Sequence, residues 1–76
     1  WIMTENELRR YFDMFTDCWK FFRRNASQMD APDFWKMVAD DNCETWAKHN
    51  HDPLMKMLLA ATTKEIERIY EGRNAK

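Results

Sequence analysis

The stretch Thr4-Glu-Asn-Glu7-Leu8-Arg-Arg-Tyr11-Phe12-Asp-Met14-Phe15-Thr-Asp-Cys18-Trp19-Lys20-Phe21-Phe22-Arg23-Arg24 decides the fold. Leu8, Tyr11, Phe12, Phe15, Cys18, Trp19 and Phe22 recur at spacings of three and four, the repeat of an α-helix with one side turned to a core. Met14 and Phe21 widen that stripe. At about 100° per residue the apolar arc then covers roughly half the circumference. A helix with so wide an arc touches two neighbours, or one neighbour and a partner. Thr4 is a good N-cap, and Glu7 three residues on completes a capping box. Glu5 and Glu7 suit the positive end of the helix dipole; Lys20, Arg23 and Arg24 suit the negative end. The first helix is therefore predicted over about 5–24.

Working outward, Asn25-Ala26-Ser27-Gln28-Met29 breaks the pattern. Asp30 reads as the next N-cap, with Pro32 in the first turn, and a second helix is predicted over about 31–49. Its apolar side carries Phe34, Trp35, Val38, Ala39, Cys43, Trp46 and Ala47. Its polar side carries Lys36, Asp40, Glu44 and Lys48, with Glu44 and Lys48 spaced for an ion pair and Met37 among the charges. Asn50-His51-Asp52-Pro53 is the second break. Asp52 and Pro53 read as cap and first helical position of a third helix over about 53–71, with Gly72 as its C-cap and Arg73 to Lys76 fraying. Leu54, Met55, Leu58, Leu59, Thr62, Ile66, Ile69 and Tyr70 form its apolar face.

Breaks this short force consecutive helices to pack antiparallel. The expectation is an all-α, three-helix up-down-up bundle, one domain over residues 1–76. Phe15, Trp19, Phe22, Trp35, Trp46, Leu58 and Ile66 are the expected core. Single-glycine, two-proline punctuation is too sparse for an all-β chain, which needs a turn about every 8–12 residues. A hydrophobic share of 45% argues against disorder. No apolar run approaches the roughly 18 residues of a membrane-spanning helix. Trp1-Ile2-Met3-Thr4 lacks the basic-then-apolar layout of a secretory leader. Two cysteines are too few for a secreted disulfide scaffold, so a reducing, cytoplasmic setting is expected, with both thiols free.

The run Thr4-Glu-Asn-Glu-Leu8, then Tyr11-Phe12 and Phe15-Thr-Asp-Cys-Trp19-Lys-Phe-Phe22, resembles small uncharacterised all-helical proteins of bacterial prophages and other mobile elements. Phe34-Trp35, Leu58-Leu59 and Glu65-Ile-Glu-Arg-Ile69 belong to the same likeness. These are aromatic and aliphatic core patterns, not chemical signatures. The resemblance implies a helical fold and a phage-encoded origin. It carries over no activity and no site residues.

Candidate chemistry is sparse. Cys43, His49, His51 and Asp52 gather the metal-ligating residue types, but their spacing matches no established zinc pattern. A histidine ending a helix is explained by the dipole alone. Cys18 and Cys43 fall out of register for a disulfide and read as small hydrophobes. Asn42, His49 and Glu65 lie inside apolar arcs and must find hydrogen bonds. Asn42 is expected to bond a backbone group or set helix register, and Glu65 to accept from the Trp19 indole. No catalytic residue, metal site or cofactor is expected, and the chain is not read as an enzyme.

Two binding surfaces remain. Met14, Phe21 and Met57, at the edges of the apolar arcs, either fill the seam between the first and third helices, if the bundle closes fully, or form a strip for a protein partner: a second copy, giving a homodimer, or a host protein. Alternatively, Lys20, Arg23 and Arg24 beside Trp19, Phe21 and Phe22 would contact nucleic acid. A net charge of −1 supplies no general attraction to phosphate, so protein is the preferred partner and no membrane is expected.

Overall fold

A computed structural model describes residues 2–74, and Asn74 by its backbone alone. Trp1, in the opening segment, and Ala75 and Lys76, in the expected frayed end, lie outside the described residues. Three helices follow in order: α1 (Glu5–Ala26), α2 (Phe34–Lys48) and α3 (Pro53–Asn74). Among the described residues all regular structure is helical, and each helix packs against the other two. Bonds from Arg24 to Asp41 and from Lys48 to Asp17 run in opposite chain directions, so α1 and α2 are antiparallel. Bonds from Arg10 to Asp52 and from Cys18 to Thr62 run in the same direction, so α1 and α3 are parallel. The chain forms the three-helix up-down-up bundle.

Its ends follow local chemistry. The Thr4 hydroxyl accepts from the Glu7 backbone N–H at 3.2 Å, and the Glu7 carboxylate accepts from the Thr4 N–H at 3.0 Å. These bonds hold the Glu7 carboxyl below its usual value. The second helix starts later than expected, at Phe34, because residues 27–33 are wound into successive turns. Asp33, not Asp30, holds the N-cap position and makes no side-chain cap bond. Met29 is buried and ties this turn region to the core. At the other end of α2, Asn50 and His51 take left-handed backbone, both with φ 56°. The His51 N–H bonds the Trp46 carbonyl and the Asn50 N–H that of Ala47, a Schellman-type stop. Asp52 then caps α3 through the Leu54 N–H at 2.8 Å. The third helix runs on through Gly72, which is exposed and helical, not a C-cap, and Arg73 remains in the helix rather than fraying.

The core differs from the expected one. Met14, Cys18, Phe21, Met29, Phe34, Val38, Met55, Leu59 and Ile66 are buried. Of the expected core, only Ile66 is fully buried; Phe22, Trp46 and Leu58 are half-buried against it. Phe15, Trp19 and Trp35 are exposed. The reason lies in α1. Its wide arc holds two parallel lines, Met14-Cys18-Phe21-Asn25 and Leu8-Phe12-Phe15-Trp19-Phe22, set about 110° apart at roughly 100° per residue. Only the first fits between α2 and α3. In α2 the buried line is Phe34-Val38-Thr45, with Asp41 half-buried on it, while Ala39, Cys43 and Ala47 face outward. Met37, read as lying among charges, is half-buried.

Candidate functional site

The outer line of α1 is the feature the fold leaves unused. Phe12, Phe15 and Trp19 keep 61%, 54% and 56% of their surface exposed, and Leu8 and Tyr11 are exposed beside them. Trp19 stacks on Phe22 with ring centroids 6.0 Å apart, so the line is continuous. The parallel α3 forms the second wall. Cys18 sits at the base, its sulfur 3.0 Å from the Thr62 hydroxyl, which sets Ala61 and Glu65 at the level of Trp19. Between the two helices lies an open groove of about 310 Å³, lined by Phe15, Cys18, Trp19, Phe22, Ala61, Thr62 and Glu65. Apolar groups of this size gain by leaving water, at about 25 cal/mol per Å². Contiguous apolar patches larger than a few hundred Å² mark interaction sites.

The predicted contact strip is corrected. Met14 and Phe21 are 0% exposed and belong to the core, because they lie on the line that α2 and α3 cover. Met57 does lie outside, 62% exposed on α3. Of the basic cluster, Lys20 and Arg23 are exposed and make no ion pair among the described residues. Arg24 is not part of a free basic surface: it clamps Asp41 with two bonds of 2.8 and 3.0 Å. Trp19 does not bond Glu65; that carboxylate is taken by Arg68 on its own helix. Lys48 pairs with Asp17 at 3.0 Å, not with Glu44.

The side of α1 toward α2 is polar and satisfied. Asp41 accepts from Arg24, from the Asn25 amide at 2.8 Å and from the Thr45 hydroxyl at 3.2 Å. The Asn25 amide also donates to the Phe21 carbonyl at 2.8 Å. Lower down, Asp17 meets Lys48 at 3.0 Å and His49 at 2.7 Å. Asn42 donates to the Thr63 hydroxyl at 3.1 Å, a bond between helices that suits the register role expected of it. Burial alone would push the Asp17 and Asp41 carboxyls up, but hydrogen bonds from Lys48 and His49, and from Arg24 and Asn25, outweigh it and hold both below the ordinary value. Carboxylates held ionised by fixed partners make poor general acids at neutral pH.

Their depression has a consequence for acid stability. The unfolded chain binds protons on these aspartates at a higher pH than the folded chain does. The stability they contribute is therefore present above the unfolded value near pH 4 and is lost as pH falls through their lower folded values. The melting temperature is expected to drop progressively below about pH 4.5. In the Asp41→Asn variant, melted across the same range, the fall should be shallower. A wild-type melt flat down to about pH 3 would contradict the assignment.

Cys43 is exposed, contrary to its expected place on an apolar face, and Cys18 is buried; the two do not form a disulfide. Cys43, His49, His51 and Asp52 are dispersed by their partners: His49 on Asp17, His51 edge-on to Trp46, and Asp52 on Arg10 at 2.6 Å. Among the described residues no group of three or more His, Cys, Asp and Glu side chains is placed to hold a metal ion. Among the described residues no helix is long and apolar enough to cross a membrane. The aromatic face was missed in the sequence because its residues look like core. The available signal was the charge beside the other line: Arg10, Asp17 and Arg24 flank Met14-Cys18-Phe21 and reach to Asp52, Lys48 and Asp41. Comparisons of the chain with family models, with curated proteins and with solved structures find no match.

Proposed function

We propose that the chain is a small protein-binding module, not an enzyme, that acts through the outer face of α1. The observation that carries this reading is the line Leu8-Phe12-Phe15-Trp19, exposed along several turns of a helix whose other line already completes the core. An amphipathic helix laid along the α1–α3 groove would bury these rings in the helix-in-groove manner. Exposed aromatics are the residue type that dominates interface energetics. The partner is a protein, either a second copy or a host protein met in the cytoplasm, as a phage-encoded origin would suit. The nucleic-acid alternative has less behind it. With Arg24 committed to Asp41, only Lys20 and Arg23 remain of that cluster, and binding to phosphate scales with the number of cations engaged.

The test uses a Phe15→Gln, Trp19→Gln double variant beside the wild type. Association is read by light scattering and by affinity capture from host lysate, with folding checked by circular dichroism. Wild-type association that disappears in a folded variant supports the reading. Identical behaviour of the two proteins in both assays removes it.

A further inference from the structure

Resting on that reading, we propose that the occupant of the α1 face is a second copy of this chain, packed antiparallel through α1 about a two-fold axis. Three observations meet here. The first is spacing. Leu8, Phe12, Phe15, Trp19 and Phe22 alternate steps of four and three, which is the 3.5-residue repeat by which helices mesh along a seam. Run antiparallel, the line is complementary to itself: Phe12 meets Phe15 of the second copy, and the small Leu8 meets the large Trp19.

The second observation is charge. Glu5 lies on the same line, seven residues before Phe12, and is exposed without an ion-pair partner among the described residues. Lys20 and Arg23, at the opposite end, are exposed and equally free of ion pairs there. A parallel pair would set Glu5 against Glu5 and the cations against each other. The antiparallel pair brings Lys20 and Arg23 of one copy alongside the first turn of the other, where Glu5 and Glu7 stand. Antiparallel helix dipoles act in the same sense. One helix thus carries both halves of a match.

The third is area. At their observed exposure the three large rings offer roughly 250–400 Å², taking ~150–250 Å² for each when fully exposed. Leu8 and Tyr11, exposed on the same helix, and the α3 wall at Ala61 and Thr62 add to that surface. Two such sets of rings bury roughly 500–800 Å², below the ~1,200 Å² at which stable specific interfaces begin. The assembly is accordingly a weak, concentration-dependent homodimer in which each α1 fills the groove of the other.

Analytical ultracentrifugation of the whole chain tests this. The expected result is reversible association to twice the 9.3 kDa chain mass as concentration rises to the high-micromolar range. Glu5→Lys alone, and Lys20→Glu with Arg23→Glu, should each weaken it about tenfold, since opposed ends then repel. Combining all three substitutions should restore it to near the wild-type strength. All these positions are exposed, so circular dichroism should report one fold throughout. A triple variant as weak as its parents overturns the antiparallel arrangement. A wild type that stays at 9.3 kDa at millimolar concentration overturns the second copy altogether. If lysate capture still depends on Phe15 and Trp19 in that case, the binding face stands and its occupant is a foreign protein.

Discussion

Phe21→Ala is expected to cost about 3–5 kcal/mol and to leave the chain largely unfolded at room temperature. Phe21 is fully enclosed at the centre of the bundle, among Met14, Cys18 and the core side chains of α2 and α3. Truncation removes the transfer energy of the ring and leaves a cavity. A bundle of this size cannot close such a cavity without moving a helix. Domains of this size hold only about 3–5 kcal/mol in total, so one such loss is enough. Urea unfolding followed at the helical band measures it. The neighbouring Phe22 and the outer Phe15 provide the contrast. Phe15→Ala, on a ring that is mostly in water, should change stability by less than about 1 kcal/mol in dilute solution. If Phe21→Ala unfolds at the wild-type midpoint, Phe21 is not in the core and the inner line has been misassigned.

Asp41→Ala is expected to be the second most damaging change, at about 1–3 kcal/mol. Its carboxylate is the meeting point of Arg24, Asn25 and Thr45. Arg24 is half-exposed and can turn to water when its partner goes. Asn25 cannot, being 1% exposed, and its amide keeps only the bond to the Phe21 carbonyl. The cost therefore falls on two buried donors that lose their acceptor, the Asn25 amide hydrogen and the Thr45 hydroxyl. Asp41→Asn retains an acceptor oxygen and should recover part of the loss. Chemical denaturation of the two variants side by side reads the difference. Equal midpoints for Asp41→Ala and wild type would mean that the cluster does not fasten α2 to α1.

The elements were legible in the sequence where backbone chemistry is local. The Thr4–Glu7 capping box, the Asp52-Pro53 start and the polar break before it place helix ends on the residues expected of them. The helical class and the up-down-up order follow from those ends and short connections. The burial pattern was not legible, for a physical reason. Periodicity says that a side is apolar, not which of two apolar lines the neighbours will cover. In α1 both lines have the same step. The more aromatic one looked like the core, although a bundle this small has room for few rings, and of the large aromatics only Phe21 and Phe34 are fully enclosed among the described residues. In α2 the buried line was disguised by Asp41 and Thr45, whose polarity is masked only once Arg24 and Asn25 reach them. Gly72 shows the same limit. It reads as a stop, yet it stands in an open position on a continuing helix. The candidate face was hidden by the same ambiguity, since Met14 and Phe21 were assigned to it in place of Phe12, Phe15 and Trp19.

On the proposed function, α1 carries two apolar lines with separate duties, the inner one for folding and the outer one for binding. A thermal melt of the Phe12→Gln, Phe15→Gln, Trp19→Gln variant in dilute solution tests this most directly. Glutamine is a good helix former, so the substitution removes the rings without weakening the helix itself. The expected result is a helical spectrum like that of the wild type and a single cooperative transition at nearly the same temperature. Loss of the helical signal would contradict the account, because it would mean that the outer rings hold the bundle together.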